Sequence, residues 1–134
     1  MNCIIIASPF RADLTAVENA HNSIIASQKL VDLVAAPLQT AVGSWKEEGQ
    51  EEAATELSFI MPVPVGKMSL VTDIFFNEYQ QDAVLMVSPN TFKAALLTRE
   101  NKVIELGTFQ VITEEEAKAS ECYTYWQGKY WLAK

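Results

Sequence analysis

Two glutamates stand near the ends of predicted strands, where a carboxylate could bind a cationic ligand. Glu56 lies near the start of residues 55–62, in which apolar residues alternate with others. This pattern predicts a strand that ends at Pro62, because proline cannot donate to a sheet ladder. Glu105 has a similar place near the end of a later predicted strand. Each carboxylate is either a solvated strand end or a binding group, and the rest of the chain has to decide between the two.

Other catalytic chemistry finds little support in the residue types. The chain has one histidine, His21, and two distant cysteines, Cys3 and Cys122, so neither a zinc ligand set nor a Ser-His-Asp relay is indicated. The glycines are spread singly, which argues against a glycine-rich phosphate loop. We therefore expect a structural His21, cysteines that act as small buried hydrophobic residues in a reduced intracellular protein, and a site with no metal and no cofactor.

Two further clusters each have two interpretations. The aromatic residues near the C-terminus either pack across a hairpin or form a wall for a flat or cationic ligand. The glutamates before the Glu56 strand form either a solvated loop or a lid over a cationic ligand. The aromatic residues are Tyr123, Tyr125, Trp126, Tyr130 and Trp131, and the glutamates are Glu47, Glu48, Glu51 and Glu52.

The composition is that of one acidic folded domain over residues 1–134. Apolar residues make up 49% of the chain and the formal net charge is −7. Lysines and arginines are scattered, so a nucleic-acid surface is not expected. No basic segment precedes the apolar N-terminal residues, and no apolar run approaches the roughly 18 residues of a membrane span. We expect a cytoplasmic protein that binds neither nucleic acid nor membranes.

The predicted elements follow the order strand, helix, strand, strand, helix, strand, with hairpins and a short helix after them. Two strands are apolar throughout, which is typical of central strands buried on both faces. Asp13 is the expected N-cap of the first helix. The predicted ranges are strands 3–7, 38–42, 55–62 and 83–87, helices 14–34, 65–80 and 114–119, and hairpins 92–106 and 122–132.

The first six elements match an α+β fold, the ferredoxin-like β-α-β-β-α-β plan, with C-terminal hairpins added. That plan places both helices on one sheet face and leaves the other face open. Because the central strands are apolar on both sides, something has to cover the open face. The tail hairpin is one candidate, and other copies of the chain are the better one. We therefore expect oligomerisation through the open sheet face.

Three motifs extend this interpretation. Ser-Pro-Phe-Arg-Ala-Asp-Leu at residues 8–14 follows an apolar strand and fits the pattern Ser-x-Phe-Arg-x-x-Leu, with Asn19 after it. Residues 43–47 supply a glycine, an aromatic, a basic and an acidic residue, and Glu56 lies eleven residues beyond the aromatic. Residues 78–85 are close to Glu-Trp-x-Gln-Asp-x-Val-Leu. In these motifs, and in their order, the chain resembles the small phage-encoded S-adenosylmethionine lyases, formerly described as S-adenosylmethionine hydrolases.

The resemblance covers nearly the whole chain, with some departures. Residues 107–110 and 122–124 also have counterparts in order. Trp45 stands where the family has a tyrosine, so a role for a phenol hydroxyl is not carried over. Glu105 aligns only with a shift.

The resemblance implies a ferredoxin-like subunit in a homotrimer, with the substrate bound between neighbouring subunits. It implies cleavage of S-adenosylmethionine to 5′-methylthioadenosine and L-homoserine lactone, in which the substrate carboxylate attacks its own γ-carbon. The implied role is to counter host restriction-modification in the host cytoplasm. Glu56 is then the expected catalytic residue, holding the substrate ammonium. The expected substrate-binding residues are Ser8, Phe10, Arg11, Trp45, Gln81 and Glu105.

Two other functions remain open. One is a catalytically silent trimeric module that binds S-adenosylmethionine or an adenine nucleotide as a sensor. The other is an acidic mimic of DNA that blocks restriction enzymes directly. The modest charge, with 17 acidic residues against 10 basic ones, favours the mimic least.

Overall fold

A computed structural model describes residues 2–45 and 54–134, without the side chain of Trp45. The predicted acidic loop of Glu47, Glu48, Glu51 and Glu52 lies outside the described residues. The strands are β1 (Asn2–Ala7), β2 (Gln39–Trp45), β3 (Ala54–Pro64), β4 (Ala83–Val87), β5 (Lys93–Thr98), β6 (Val103–Ile112), β7 (Cys122–Trp126) and β8 (Lys129–Ala133). The helices are α1 (Ala16–Val34), α2 (Met68–Asp73) and α3 (Glu114–Ala119). A 3₁₀ turn (Val65–Lys67) precedes α2, and a π-helical turn (Ile74–Glu78) follows it.

Within the described part of the chain, eight antiparallel strands form a closed barrel. The strand order is β1-β3-β2-β7-β8-β6-β5-β4, and β4 closes the barrel by pairing with β1. The predicted ferredoxin-like α+β fold is therefore wrong. The helices and most strands lie near their predicted positions, and β5 with β6 and β7 with β8 form the two predicted hairpins. These hairpins are not additions to a separate sheet. They extend the sheet until it closes, with β7 paired to β2 and β8 paired to β6.

The closure explains why β1 is apolar on both faces. Ile5 and Ala7 face outward and pack in a core with residues of α1 and of the helix after β3. Ile6 faces inward and packs inside the barrel with residues such as Ala94 and Phe109. Both faces are thus covered within one chain, by the helices and by the C-terminal strands. The expected open sheet face does not exist, so the predicted association through that face is wrong.

The C-terminal aromatic residues divide between the two faces of the barrel wall. Trp131 packs inside the barrel, with its ring centroid 5.3 Å from those of both Phe109 and Trp126. Its indole N–H donates to the carbonyl of Trp126 at 3.1 Å. The tyrosines form a second cluster, in which Tyr130 contacts Tyr123 and Tyr125. Cross-strand packing therefore accounts for these contacts.

Helix α1 begins two residues later than the sequence predicts. Its N-cap is Thr15, whose hydroxyl accepts the N–H of Glu18 at 3.1 Å while the Glu18 carboxylate accepts the N–H of Thr15 at 3.0 Å. This reciprocal pair is a capping box, which satisfies two helix-end donors at once. The predicted cap, Asp13, lies before the helix and pairs with Arg11 instead.

Strand β3 continues through both prolines, against the prediction that Pro62 ends it. Pro62 pairs with Ile4 and Pro64 pairs with Asn2 of β1. The pairing with β2 stops at Ile60, so the prolines lie where β3 has a strand neighbour on one side. A missing N–H is tolerated there, as it is on an edge strand.

Candidate functional site

A cavity of about 690 Å³ opens at one end of the barrel. Because β1 is antiparallel to both of its neighbours, its C-terminal end meets the N-terminal ends of β3 and β4. The cavity therefore combines residues from the loop after β1, from the start of β3 and from the turn before β4. Its lining residues include Phe10, Arg11, Asp13, Glu56, Gln81 and Asp82.

Glu56 lies half-buried on the face of β3 that points into the barrel. It shares that face with Ser58 and Ile60 by strand alternation, and Ile60 belongs to the interior core. Its partner on β2 is Gly43. A Cβ atom at Gly43 would lie 3.6 Å from Cγ of Glu56 and only 3.0 Å from Oγ of the buried Ser58. The glycine thus leaves room beside Glu56 at the barrel mouth.

Side chains from three parts of the chain hold the backbone of Phe10 and Arg11. The N–H of Phe10 donates to Oγ of Ser8 at 3.1 Å, and its carbonyl accepts from Nε2 of Gln81 at 2.6 Å. The Asn19 amide pairs with Arg11 in both directions: Oδ1 accepts the Arg11 N–H at 2.9 Å, and Nδ2 donates to the Arg11 carbonyl at 3.1 Å. Four backbone groups are therefore satisfied by buried or half-buried side chains, which fixes this wall of the cavity.

The π-helical turn positions Gln81. The N–H of Tyr79 bonds the carbonyl of Ile74, and the N–H of Gln81 bonds the carbonyl of Phe75 at 2.9 Å. Gln80 adopts a left-handed conformation, with φ of 52°, which turns the chain towards β4. The phenol of Tyr79 is buried, which raises its pKa, and it donates to the carbonyl of Asn22 on α1. Such π-helical turns are often found at functional sites. This one leads to Gln81, whose side chain bonds the loop after β1.

The described lining of the cavity has more negative than positive side chains. Among its described lining residues, the carboxylates of Asp13, Glu56 and Asp82 outnumber the one guanidinium, Arg11. Arg11 is paired with Asp13 through both Nε (3.0 Å) and Nη2 (2.6 Å). This pair leaves an acidic balance at the cavity, which would attract a cationic ligand.

The remaining expected site residues lie elsewhere. Ser8 is buried, and its hydroxyl supports the loop rather than lining the cavity. Trp45 ends β2, where its backbone pairs with Ala54 and Cys122, and its side chain is outside the described structure. Glu105 is exposed and lines a different cavity of about 570 Å³, whose lining residues include none from the Glu56 cavity.

Comparison with known protein families gives a match to the S-adenosylmethionine lyase family over residues 5–134. The chain belongs to this family. Membership supports a lyase activity that uses S-adenosylmethionine as its small-molecule substrate. No match was found among curated proteins.

The matched region of this S-adenosylmethionine lyase family member contains every candidate residue. Phe10, Arg11, Glu56 and Gln81 are far apart in sequence, and the barrel brings them to one cavity. Sequence reasoning did not select Asp82, although it lies within the motif at residues 78–85. It treated Asp13 as a helix cap, and the stronger Thr15-x-x-Glu18 capping signal could have corrected that assignment.

In residues 2–45 and 54–134, no group of three or more histidine, cysteine, aspartate or glutamate side chains is arranged to hold a metal ion. None of the helices in those ranges has the length and apolar character needed to cross a membrane.

Proposed function

We propose that this protein cleaves S-adenosylmethionine to 5′-methylthioadenosine and L-homoserine lactone. An oxygen of the substrate carboxylate attacks the γ-carbon of the methionine moiety and forms the ring C–O bond. The bond between that carbon and sulfur breaks, and its electron pair goes to sulfur, which becomes a neutral thioether. No water and no external proton donor enter the step.

The observation that supports this proposal most is the acidic cavity at the barrel end in a member of this family. The substrate carries a sulfonium and an ammonium group, so the excess of carboxylates around Glu56 complements its charge. The cavity volume of about 690 Å³ is within the usual range for small-molecule sites.

In this proposal Glu56 binds the substrate ammonium and holds the methionine moiety folded. The substrate carboxylate then stays in line with the bond that breaks. Orientation of reacting groups can supply about 7–11 kcal/mol of a barrier, which suits a reaction whose nucleophile is part of the substrate. Phe10, Arg11 and Gln81 line the same cavity, and Ser8 and Asn19 support the backbone of Phe10 and Arg11. For Trp45, whose side chain lies outside the described residues, we propose from the family resemblance that it stacks on the adenine or faces the sulfonium.

Glu105 fits this proposal only if two copies of the chain share a site. In one subunit it lies on the outer face of β6, opposite Ala95 and beside the exposed Val65 and Val103. Exposed apolar residues around a cavity are typical of a surface that binds another protein. We therefore keep the expected homotrimer as part of the proposal, with Glu105 of one copy completing the Glu56 site of its neighbour.

The biological role in this proposal is the removal of a methyl donor in the cytoplasm of a host cell, by a phage-encoded protein. Loss of S-adenosylmethionine would disable restriction-modification enzymes that depend on it. Support comes from the family membership and the resemblance of its motifs.

Incubation of the purified protein with S-adenosylmethionine, followed by chromatography of the products, tests the activity. We expect equal amounts of 5′-methylthioadenosine and homoserine lactone. Homoserine lactone must be separated from homoserine at early time points, because the lactone hydrolyses to homoserine in water. Homoserine from the first time point would instead indicate attack by water. Unchanged substrate with tight binding would indicate the sensor module. If the protein shows no turnover and no binding, the DNA mimic is favoured.

A further inference from the structure

The pairing of Arg11 with Asp13 bears on how the substrate carboxylate is kept reactive. The guanidinium fork meets both carboxylate oxygens, at 3.0 and 2.6 Å, and both residues line the Glu56 cavity. The Arg11 side chain is 28% exposed and that of Asp13 is 63% exposed. The guanidinium is thus on the more enclosed side chain of the pair.

The surrounding structure indicates that the role of Asp13 is to pair with Arg11. Helix α1 is capped by Thr15 and Glu18, so the Asp13 carboxylate is not the helix cap. Asn19 fixes the N–H and the carbonyl of Arg11, so its backbone is held and only its side chain can swing. From that anchor, the guanidinium either stays on Asp13 or reaches a ligand in the cavity.

An unpaired guanidinium at this position would compete for the substrate carboxylate. Arginine and carboxylate form bidentate, charge-assisted pairs. Under the proposed lactone-forming reaction the same carboxylate is the nucleophile, and a bidentate ion pair would stabilise it before attack. Stronger binding of the ground state lowers KM without helping the chemical step. Affinity gained through Arg11 would therefore cost turnover.

We infer that Asp13 is a positioning residue that occupies the Arg11 guanidinium and withholds it from the substrate carboxylate. The inference rests on the proposed function. It assigns Arg11 to the wall of the site rather than to the capture of the carboxylate. It also explains why the cavity contains a cation although the substrate already carries two positive groups.

The variant Asp13→Asn tests the inference by binding and by kinetics. Exposed ion pairs contribute at most about 1 kcal/mol, so we expect a change of up to about fivefold. S-adenosylhomocysteine, which keeps the carboxylate, should bind more tightly in calorimetry. 5′-Methylthioadenosine, which lacks it, should bind as before. For S-adenosylmethionine, KM and kcat should both fall.

Three further variants serve as controls. In the double variant Arg11→Gln/Asp13→Asn, the gain in affinity for S-adenosylhomocysteine should disappear. Asp13→Ser, which removes the charge with a different side chain, should repeat the Asp13→Asn result. Glu116→Gln breaks another exposed ion pair, with Lys134 at 2.7 Å, and should change neither binding nor turnover.

The outcomes separate this inference from the proposed function. If the native protein forms the lactone but Asp13→Asn binds both ligands unchanged, or binds both more weakly, the inference is overturned and the activity stands. If the native protein forms no lactone, the proposed function is overturned. Tighter binding of S-adenosylhomocysteine alone would then still show that Asp13 masks Arg11.

Discussion

Glu56 and Glu105 look alike in the sequence and occupy different surroundings in the fold. Both are carboxylates near strand ends. Glu56 is half-buried on the inner face of β3, beside Gly43, and it lines the same cavity as Phe10 and Arg11. Glu105 is exposed on the outer face of β6. The face and the neighbouring loop therefore determine what such a carboxylate can do.

The largest expected effect is that of Glu56→Gln. The amide keeps the size of the side chain and removes the charge that would hold the substrate ammonium. Hydrogen bonds to charged groups contribute about 1.5–3 kcal/mol, so kcat/KM should fall roughly 10- to 100-fold. Formation of 5′-methylthioadenosine measures the loss, and light scattering checks that the assembly, expected to be a trimer, persists. Full activity in this variant would remove Glu56 from the mechanism.

Mixing two impaired variants tests whether Glu105 completes the site of another copy. Glu105→Gln alone should lower kcat/KM about tenfold, through the loss of one charge-assisted contact. When Glu56→Gln and Glu105→Gln subunits are mixed and reassembled, some sites regain both native glutamates. Activity should then exceed the sum of the two separate variants. Exchange of subunits without recovery would place Glu105 outside the site, and a monomer in light scattering would contradict the shared site itself.

A smaller effect is expected from Gly43→Ala. The new Cβ would stand 3.0 Å from the buried Ser58 hydroxyl and crowd Glu56. Overpacking of this kind costs about 1–3 kcal/mol of stability, and we expect turnover to fall severalfold as Glu56 shifts. Gly66→Ala is the matched control, because a Cβ there would point into open space. Melting temperature and turnover should both be lower in Gly43→Ala than in Gly66→Ala. Equal values in the two variants would show that the space at Gly43 is unimportant.

The smallest effect concerns the start of α1, the helix that holds Asn19 behind the Glu56 cavity. Hydrogen bonds from the backbone and side chain of Thr15 lower the pKa of Glu18. The charged form is therefore favoured in the folded state. Its contribution to stability is complete above the ordinary glutamate pKa and is lost as pH falls through the lowered folded-state pKa. Glu18→Gln should lower the melting temperature slightly at about pH 7, and this difference should shrink as pH falls through the lowered folded-state pKa.

Local patterns predicted the helices and most strands, because they depend on neighbouring residues. The apolar run at Ile4–Ile6 correctly indicated a strand buried on both faces. The covering of the second face was assigned to other copies because pairings such as Val42 with Tyr125, across more than 80 residues, leave no local signal. Closure depends on such long-range pairs, so the ferredoxin-like plan was the simpler and incorrect choice.

The candidate site was likewise only partly predictable from the sequence. The motifs around Phe10, Arg11 and Gln81 pointed to a common site, and the strand ends bring those residues together with Glu56. Glu105 was grouped with them through a shifted alignment, and one subunit does not bring it there. Asp13 was missed as a partner of Arg11 because a capping role seemed sufficient for an aspartate before a helix. The register of β6 determines where Glu105 lies, and the start of α1 determines that Asp13 is not its cap. Neither feature can be predicted from residue type alone.

Strand β8 pairs with both β7 and β6, so it joins the two ends of the sheet. During synthesis on a ribosome, the cavity residues emerge well before the strand that locks the barrel around them. A nascent chain without β8 would therefore carry the residues of the Glu56 cavity without the closed barrel that brings them together. We therefore expect the enclosed Glu56 cavity to form only after β8 has paired with both β6 and β7.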